Sequence, residues 1–559
     1  MMRFFSLTLV FVLFAAALAT GQPQAKPPAT FEISGTAVDS LTGQPLTGVH
    51  VAVAQVTARN NFRIVVTGED GKFFFDGLAR GKYALTAQRI GYLTQSFDQH
   101  GQYSTSIAVG PGQDARGLIF RVRPQASISG QVVDEHNEPV RNARVILFQQ
   151  SAPGEPERQA VRGRTTTDDE GVFYFAHLFP EKYFIAVEAE PWYAQRQPIN
   201  FARTIYADSF GNRSVPQDSP PQPREDVPKS PLDVAYPVTY YPGVTDPASA
   251  GSIAVTAGEK FTADIVLQPV PAIHSRITVA GPDSKQHFSG DLRQRVMGDT
   301  FGGFSASVIE ISPGVLEVSG APPGHYELNL NTYDETGNHP AIKGEIDLAD
   351  GTEAGSFQVG AAPVALTGAV KFDTDEDPPT RGSIVLRNRK SGEASVGNIS
   401  DHGEFEIQGG VQPGSYDVTA SAFNQSLLSE LIATGAKVTG HSLEIKDNTP
   451  VKLTAVLTRG LGQVTGVALR DDKPVAGIMI VLVPEDPLHH AQLFRRDQSD
   501  SDGTFTLPSV VPGKYTVLAI ADGWELDYRS PDVLKPYMAH GTPIQVEDKG
   551  KYEVKVNIQ

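Results

Sequence analysis

The chain contains no cysteine, which excludes disulfides, thiol catalysis and cysteine-ligated metal. It also lacks any block of Lys or Arg. The 47 basic residues stand against 64 acidic ones, for a formal charge of -17, and no run of them is able to neutralise successive phosphates. Nucleic acid and anionic membrane surfaces are therefore poor partners. After the first two dozen residues no apolar stretch reaches the ~20 residues of a spanning helix. No Gly-x-Ser-x-Gly elbow, phosphate loop or dinucleotide fingerprint occurs. Nowhere does an apolar i, i+3, i+4, i+7 pattern persist for three turns, so helix should be minor.

What remains is long and rich in turns. At about 100 to 150 residues per domain, 559 residues call for four or five units. Gly and Pro together number 94 (53 and 41), above the usual share, while 28 Phe and 17 Tyr supply enough apolar surface for several cores. Residues 1–21 have a basic start at Arg3, an apolar run from Phe4 to Leu18 and a small-residue Ala17-Leu18-Ala19 site, the pattern of a cleaved signal peptide. The run is too short for a spanning anchor. A chain exported this way is expected in the periplasm, at the cell surface or outside the cell, and its lack of cysteine reads as bacterial.

Internal repetition is the strongest signal. Ile33-Ser34-Gly35-Thr36-Ala37-Val38 aligns with Ile128-Ser129-Gly130-Gln131-Val132-Val133, and Leu366-Thr367-Gly368 and Val464-Thr465-Gly466 join them. A Pro turn and an alternating strand follow, as in Pro45-Leu46 with Val49, Val51 and Val53, and Pro474-Val475 with Ile478, Ile480 and Leu482. Apolar residues at period two predict one buried strand face. Next comes a hairpin: Glu69-Asp70-Gly71-Lys72-Phe73, Asp168-Asp169-Glu170-Gly171-Val172-Phe173, Asp401-His402-Gly403-Glu404-Phe405 and Asp500-Ser501-Asp502-Gly503-Thr504-Phe505. Asp and Ser bond the turn backbone and Gly supplies the positive φ. A second turn ends on Tyr83, Tyr183, Tyr416 and Tyr515, which lie 12, 12, 13 and 12 residues after the turn glycine. Pro322-Pro323-Gly324-His325-Tyr326 preserves this turn in a degenerate fifth copy. Because the tyrosines recur among unlike loops, they are expected to be buried, each with its hydroxyl partnered.

The units are placed at 31–125, 126–270, 271–362, 363–459 and 460–559, after a linker at 22–30. The second carries a Pro-rich insertion at about 191–247. In a linear array each unit is expected to touch only its neighbours. With these residues in order, the chain resembles the carboxypeptidase regulatory-like domain, strongly over 31–190 and 460–559 and weakly over 271–362. The resemblance implies an all-β, tandem array of about five transthyretin-like or Ig-like antiparallel β-sandwich domains. It also implies an accessory or binding role, because its motifs are structural turns.

Chemistry is sparse. His441-Ser442-Leu443-Glu444 matches the start of a zinc carboxypeptidase motif, but strand alternation puts His441 and Glu444 on opposite faces. The neighbours His489-His490 read as a solvated loop. Each Asp-rich hairpin offers two or three oxygens where calcium takes six to eight. The reading is a non-catalytic structural or binding array with no cofactor and no metal, and oligomeric state is open. The remaining lead is aromatic. Trp192, Tyr193, Tyr240 and Tyr241 in unit two, and Trp524 and Tyr528 in unit five, stand in non-repeating loops where flat rings stack on sugars. The favoured reading is that each ring pins its own loop to the sandwich, and the alternative is recognition of a partner, a glycan or another envelope protein.

Overall fold

A computed structural model describes residues 30–194, 230–279, 287–297, 305–349 and 364–559, apart from positions 59, 114, 151–158, 313, 335–336, 390–391, 393, 408–409 and 423–425. The expected signal peptide and much of the Pro-rich insertion lie outside these residues. Strand is the dominant element, and Pro531–Met538 is the one α-helix among the described residues. None of the described helices is long and apolar enough to cross a membrane.

Five separate apolar cores follow one another along the chain, from Ile33 to Val122, Ala126 to Leu267, Ile273 to Leu348, Val364 to Leu457 and Val464 to Val556. Unit one shows the plan. One sheet places Phe31–Asp39 between Lys72–Leu78 and Leu118–Val122; the other runs Phe62–Val66, His50–Gln55, Gly81–Gln88, Gln95–Ser96. The two inner faces share the core, as alternation of buried and exposed residues along each strand requires. Neighbouring strands run antiparallel except where the closing strand lies parallel to the opening one, pairing Gly35 with Leu118, Gly368 with Leu453 and Gly466 with Val554.

That parallel pair explains the opening glycine. A Cβ on Gly35, Gly130, Gly368 or Gly466 would sit 2.0–2.3 Å from a closing-strand carbonyl and 2.6–2.9 Å from the ring of the hairpin Phe73, Phe173, Phe405 or Phe505. No side chain fits, so glycine and phenylalanine recur as one steric unit. The hairpin glycines 71, 171, 403 and 503 all have φ between 67° and 76°, the left-handed region that closes the turn.

The tyrosines form the third device. Tyr83, Tyr183, Tyr326, Tyr416 and Tyr515 are each at most 6% exposed, and each hydroxyl donates to the carbonyl four residues upstream, at 2.6–3.0 Å. The bond fastens the second turn to the strand it precedes. Burial pushes the Tyr183 and Tyr515 hydroxyls up to about 12, so they stay protonated donors at any physiological pH.

Unit three departs from the plan. Its described strands form one antiparallel six-stranded sheet in the order Ile273–Thr278, Val315–Ala321, Ser305–Ser312, His287–Arg293, Gly324–Asp334, Gly337–Leu348. Among the described residues only the tyrosine turn is kept, in line with a sequence that shows that motif there without an opening.

Candidate functional site

The loops between the tyrosine strand and the closing strand carry what the repeats do not. In unit two, Trp192 is 82% exposed and its ring meets that of Tyr193 edge-on at 5.8 Å. The Tyr193 hydroxyl donates to one oxygen of Glu135, and the Tyr236 hydroxyl donates to the other at 3.1 Å. Burial and then the Glu135 carboxylate push the Tyr193 hydroxyl up to about 12, and burial raises Tyr236 further still. Glu135 thus holds two loop segments together beneath an exposed indole. Ala189, Pro191, Val234 and Tyr236 line an adjoining cavity of about 220 Å³, below the ~300 Å³ at which small-molecule sites begin.

Ligand atoms of Asp134, Glu135 and His136 lie within 4.8 Å of one another, and Asp134 Oδ1 and both Glu135 oxygens are hydrogen-bonded within the fold. Asp134 Oδ1 receives the N–H groups of His136 and Glu138 at 2.9 and 2.8 Å, an Asp-stabilised turn matched by Asp39 in unit one. With Glu135 bonded to two tyrosines, turn and loop hydrogen bonds account for where both carboxylates stand.

Tyr240 and Tyr241 stand elsewhere. Tyr240 is 2% exposed and joins Ile146, Phe148, Ala186 and Val238 with Val296 of unit three. Tyr241 packs edge-on against Phe261 at 6.1 Å. Both rings pin the 230–250 segment to its sandwich. At the same seam Asp233, 4% exposed, meets His274 Nε2 at 2.7 Å, and His274 Nδ1 meets Ser319 Oγ at 2.7 Å. The order Ser, His, Asp is that of a nucleophile relay. Neither Ser319 nor His274 lines the adjoining cavity, so the chain of bonds fastens unit two to unit three.

Trp524 and Tyr528 lie together in unit five, against unit one. The Trp524 ring stacks on His100 at 4.7 Å, with planes 6° apart. The Arg496 guanidinium sits 4.8 Å from the Tyr103 ring, 4.2 Å from Tyr528 and 5.7 Å from Trp524, held by cation–π attraction across the two units. The hairpin of unit five completes the contact. Asp500 accepts from the Ser106 N–H at 2.9 Å and from the Lys82 ammonium at 2.5 Å; Ser501 Oγ receives the Ala108 N–H at 2.8 Å. The Gln498 amide donates to the Asp98 carbonyl and to Thr105 Oγ1, at 2.6 and 2.8 Å. The first and last units are therefore docked, which corrects the expectation that units touch only neighbours. No local signal separates Asp500–Gly503 from the other hairpins; the partner surface lies some 400 residues away.

His441 and Glu444 lie on opposite faces, with His441 5% exposed. The His489-His490 pair is not uniformly solvated. His489 Nδ1 bonds Asp486 at 2.8 Å on the surface, while the His490 ring meets the His441 ring at right angles, 5.9 Å away. Burial drives His441 down to about 4, so the seam between units four and five holds a neutral imidazole.

Two stretches, residues 32–122 and 127–204, match the carboxypeptidase regulatory-like domain family. No curated protein matches the chain. Among solved structures it is similar to a streptococcal ancillary pilin (10% identity, 59% of this chain and 99% of that one, TM-score 0.20). The major pilin subunit of Bacillus cereus aligns at 10% identity over 77% and 100%, with a TM-score of 0.15. Two B repeat units of the collagen binding protein of Staphylococcus aureus align at 11% identity over 77% and 100%, with a TM-score of 0.12. Likenesses at these scores carry no argument about function.

Proposed function

We propose that the chain is a non-catalytic exported protein, periplasmic, surface-bound or extracellular, that acts as a structural and binding array. The observation that supports this most is where the recurring residues are spent. The opening glycines, hairpin phenylalanines and corner tyrosines all go into backbone contact and core, so the repeated part of the sequence builds scaffold. A fluorophosphonate probe checks the class: failure to label Ser319 is expected, and stoichiometric labelling lost in Ser319→Ala would contradict it.

A second reading, glycan recognition, is favoured by Trp192, whose indole stands exposed above the Tyr193 and Glu135 pair. Trp524 and Tyr528 would offer their faces to a ligand only if unit one lifted away. On a glycan array, binding that disappears in Trp192→Ala and persists in Trp524→Ala is the result this reading expects. Glycan binding retained in Trp192→Ala would contradict this reading, and a wild type that binds no glycan would leave another envelope protein as the partner class.

A further inference from the structure

Among the described residues, the second sheet in units one, two, four and five ends in a strand with no ladder partner on its outer side: Phe62–Val66, Gln159–Thr166, Ala394–Asn398 and Arg495–Gln498, the last of them packed against unit one through Gln498 and Arg496. Unpaired edges invite association, and charge is the usual protection. Unit two places Arg164 opposite Ile146 on the outer face, and unit five places Arg496 opposite Val481. The outer faces of these sheets are also covered. In unit two Val238, Tyr240 and Val296 lie over Ile146 and Phe148; in unit five Tyr528 and Leu534 lie over Val481 and Leu518.

Unit one has neither protection. Its edge strand reads Phe62-Arg63-Ile64-Val65-Val66, and the outward residues Phe62, Ile64 and Val66 are 58%, 51% and 58% exposed. Behind Phe62 and Ile64 the register places Ala54 and Ala52 and then Ala84 and Thr86, a shallow floor of small side chains, while His50 and Gln88 stand behind Val66. The single charge, Arg63, turns away to Asp76 at 3.1 Å.

We propose that Phe62–Val66 is a self-association edge, pairing antiparallel with the same strand of a second copy about a two-fold axis at Ile64. The occupant follows from the sequence of the strand. Two-fold pairing sets Phe62 against the second copy's Val66, Ile64 against Ile64 and Arg63 against Val65, so apolar meets apolar on the outer face. The two Arg63 side chains fall diagonal to each other, each already neutralised by its own Asp76. One isologous contact covers both strips and satisfies both edges, whereas an unrelated peptide would cover one. Three outward side chains and a five-residue strand cover far less than the roughly 800 Å² per partner of a standard interface. Association is therefore weak and belongs to high-micromolar concentration.

The absence of native cysteine makes the test direct. Ile64→Cys places one thiol on the two-fold axis, where Cα atoms of facing residues fall within disulfide range. Mild oxidation of the full chain at high-micromolar concentration is expected to give covalent dimer much faster than for Ile90→Cys, whose site is 98% exposed and off the edge. Sedimentation velocity should show concentration-dependent dimer for the wild type and monomer for Ile64→Lys, with unchanged circular dichroism. Equal crosslinking at positions 64 and 90, a wild type that stays monomeric, or higher aggregates that persist in Ile64→Lys would each overturn the proposal.

Discussion

Units two and five carry the same hairpin and use it differently. In unit two the Asp168 carboxylate bends back on its own turn, accepting the N–H groups of Glu170 and Val172 at 2.9 Å each. In unit five the backbone closes in the same way, with the Asp500 N–H donating to the Thr504 carbonyl at 2.8 Å, but the Asp500 carboxylate reaches out to Ser106 and Lys82 of unit one. Closure belongs to the backbone and to the glycine at positive φ. The aspartate is therefore free to take a second role where a neighbour presents donors. A turn motif fixes the local path of the chain, and the surface beside it decides what the side chains do.

The corner tyrosine should be indifferent to this distinction. Tyr183→Ala and Tyr515→Ala each remove a buried ring and a hydroxyl bond to backbone, at an expected cost of about 3 to 5 kcal/mol. Calorimetry checks it, and the unit-five variant carries an added signature. Because unit five is docked on unit one, its early transition should coincide with a change in Trp524 emission. A cost differing several-fold between the two variants would show that the corner is not a shared fold device.

The two seams of unit five sharpen the comparison. Its contact with unit four holds neutral His441, whose value in the fold is about 4 against an ordinary 6.5. Between those values the unfolded chain binds the proton and the folded chain does not, so stability rises with pH there. The contribution is complete above pH 6.5 and is lost as pH falls toward 4, by roughly 3 kcal/mol. Denaturation followed from pH 7 to pH 4 should show this slope, and His441→Phe should flatten it. A slope unchanged by that substitution would place the titrating group elsewhere.

How much of this was legible in sequence divides along the same line. The opening glycine, the hairpin phenylalanine, the turn glycine and the corner tyrosine answer steric demands within one unit, so they recur at fixed spacing and can be read. The contact of Lys82 with Asp500, that of Arg496 with Tyr103 and the meeting of His441 with His490 join residues of different units. Such contacts depend on how sandwiches dock, and leave no periodic trace. The aromatic lead was legible as a set of residues in unlike loops, but not in how they divide. Trp192 stands exposed while Tyr240 is buried, because Tyr240 enters a cluster of Ile146, Phe148, Ala186 and Val238 of its own unit that Val296 of the next unit joins.

A smaller effect separates the two hairpin aspartates. Asp168→Asn retains an oxygen for the same two N–H groups and should change stability by less than about 0.5 kcal/mol. Asp500→Asn loses the charge that meets Lys82, whose side chain is 33% exposed. Discounted for that solvent access, the cost should be about 1 kcal/mol, and it should shrink as salt is raised. Equal, salt-independent effects in chemical denaturation would mean that Asp500 serves only its own turn.

The docking of unit five on unit one is tested most directly through Trp524, one of only two tryptophans. In a Trp192→Phe background its emission reports the contact alone, and acrylamide quenching measures whether His100 still covers the ring. The expected result is a shielded indole in the parent, an open one in Lys82→Glu, where a third carboxylate faces Asp500 and Asp502, and shielding regained when Lys82→Glu is combined with Asp500→Lys. Equal quenching in all three proteins would contradict a docked first and last unit.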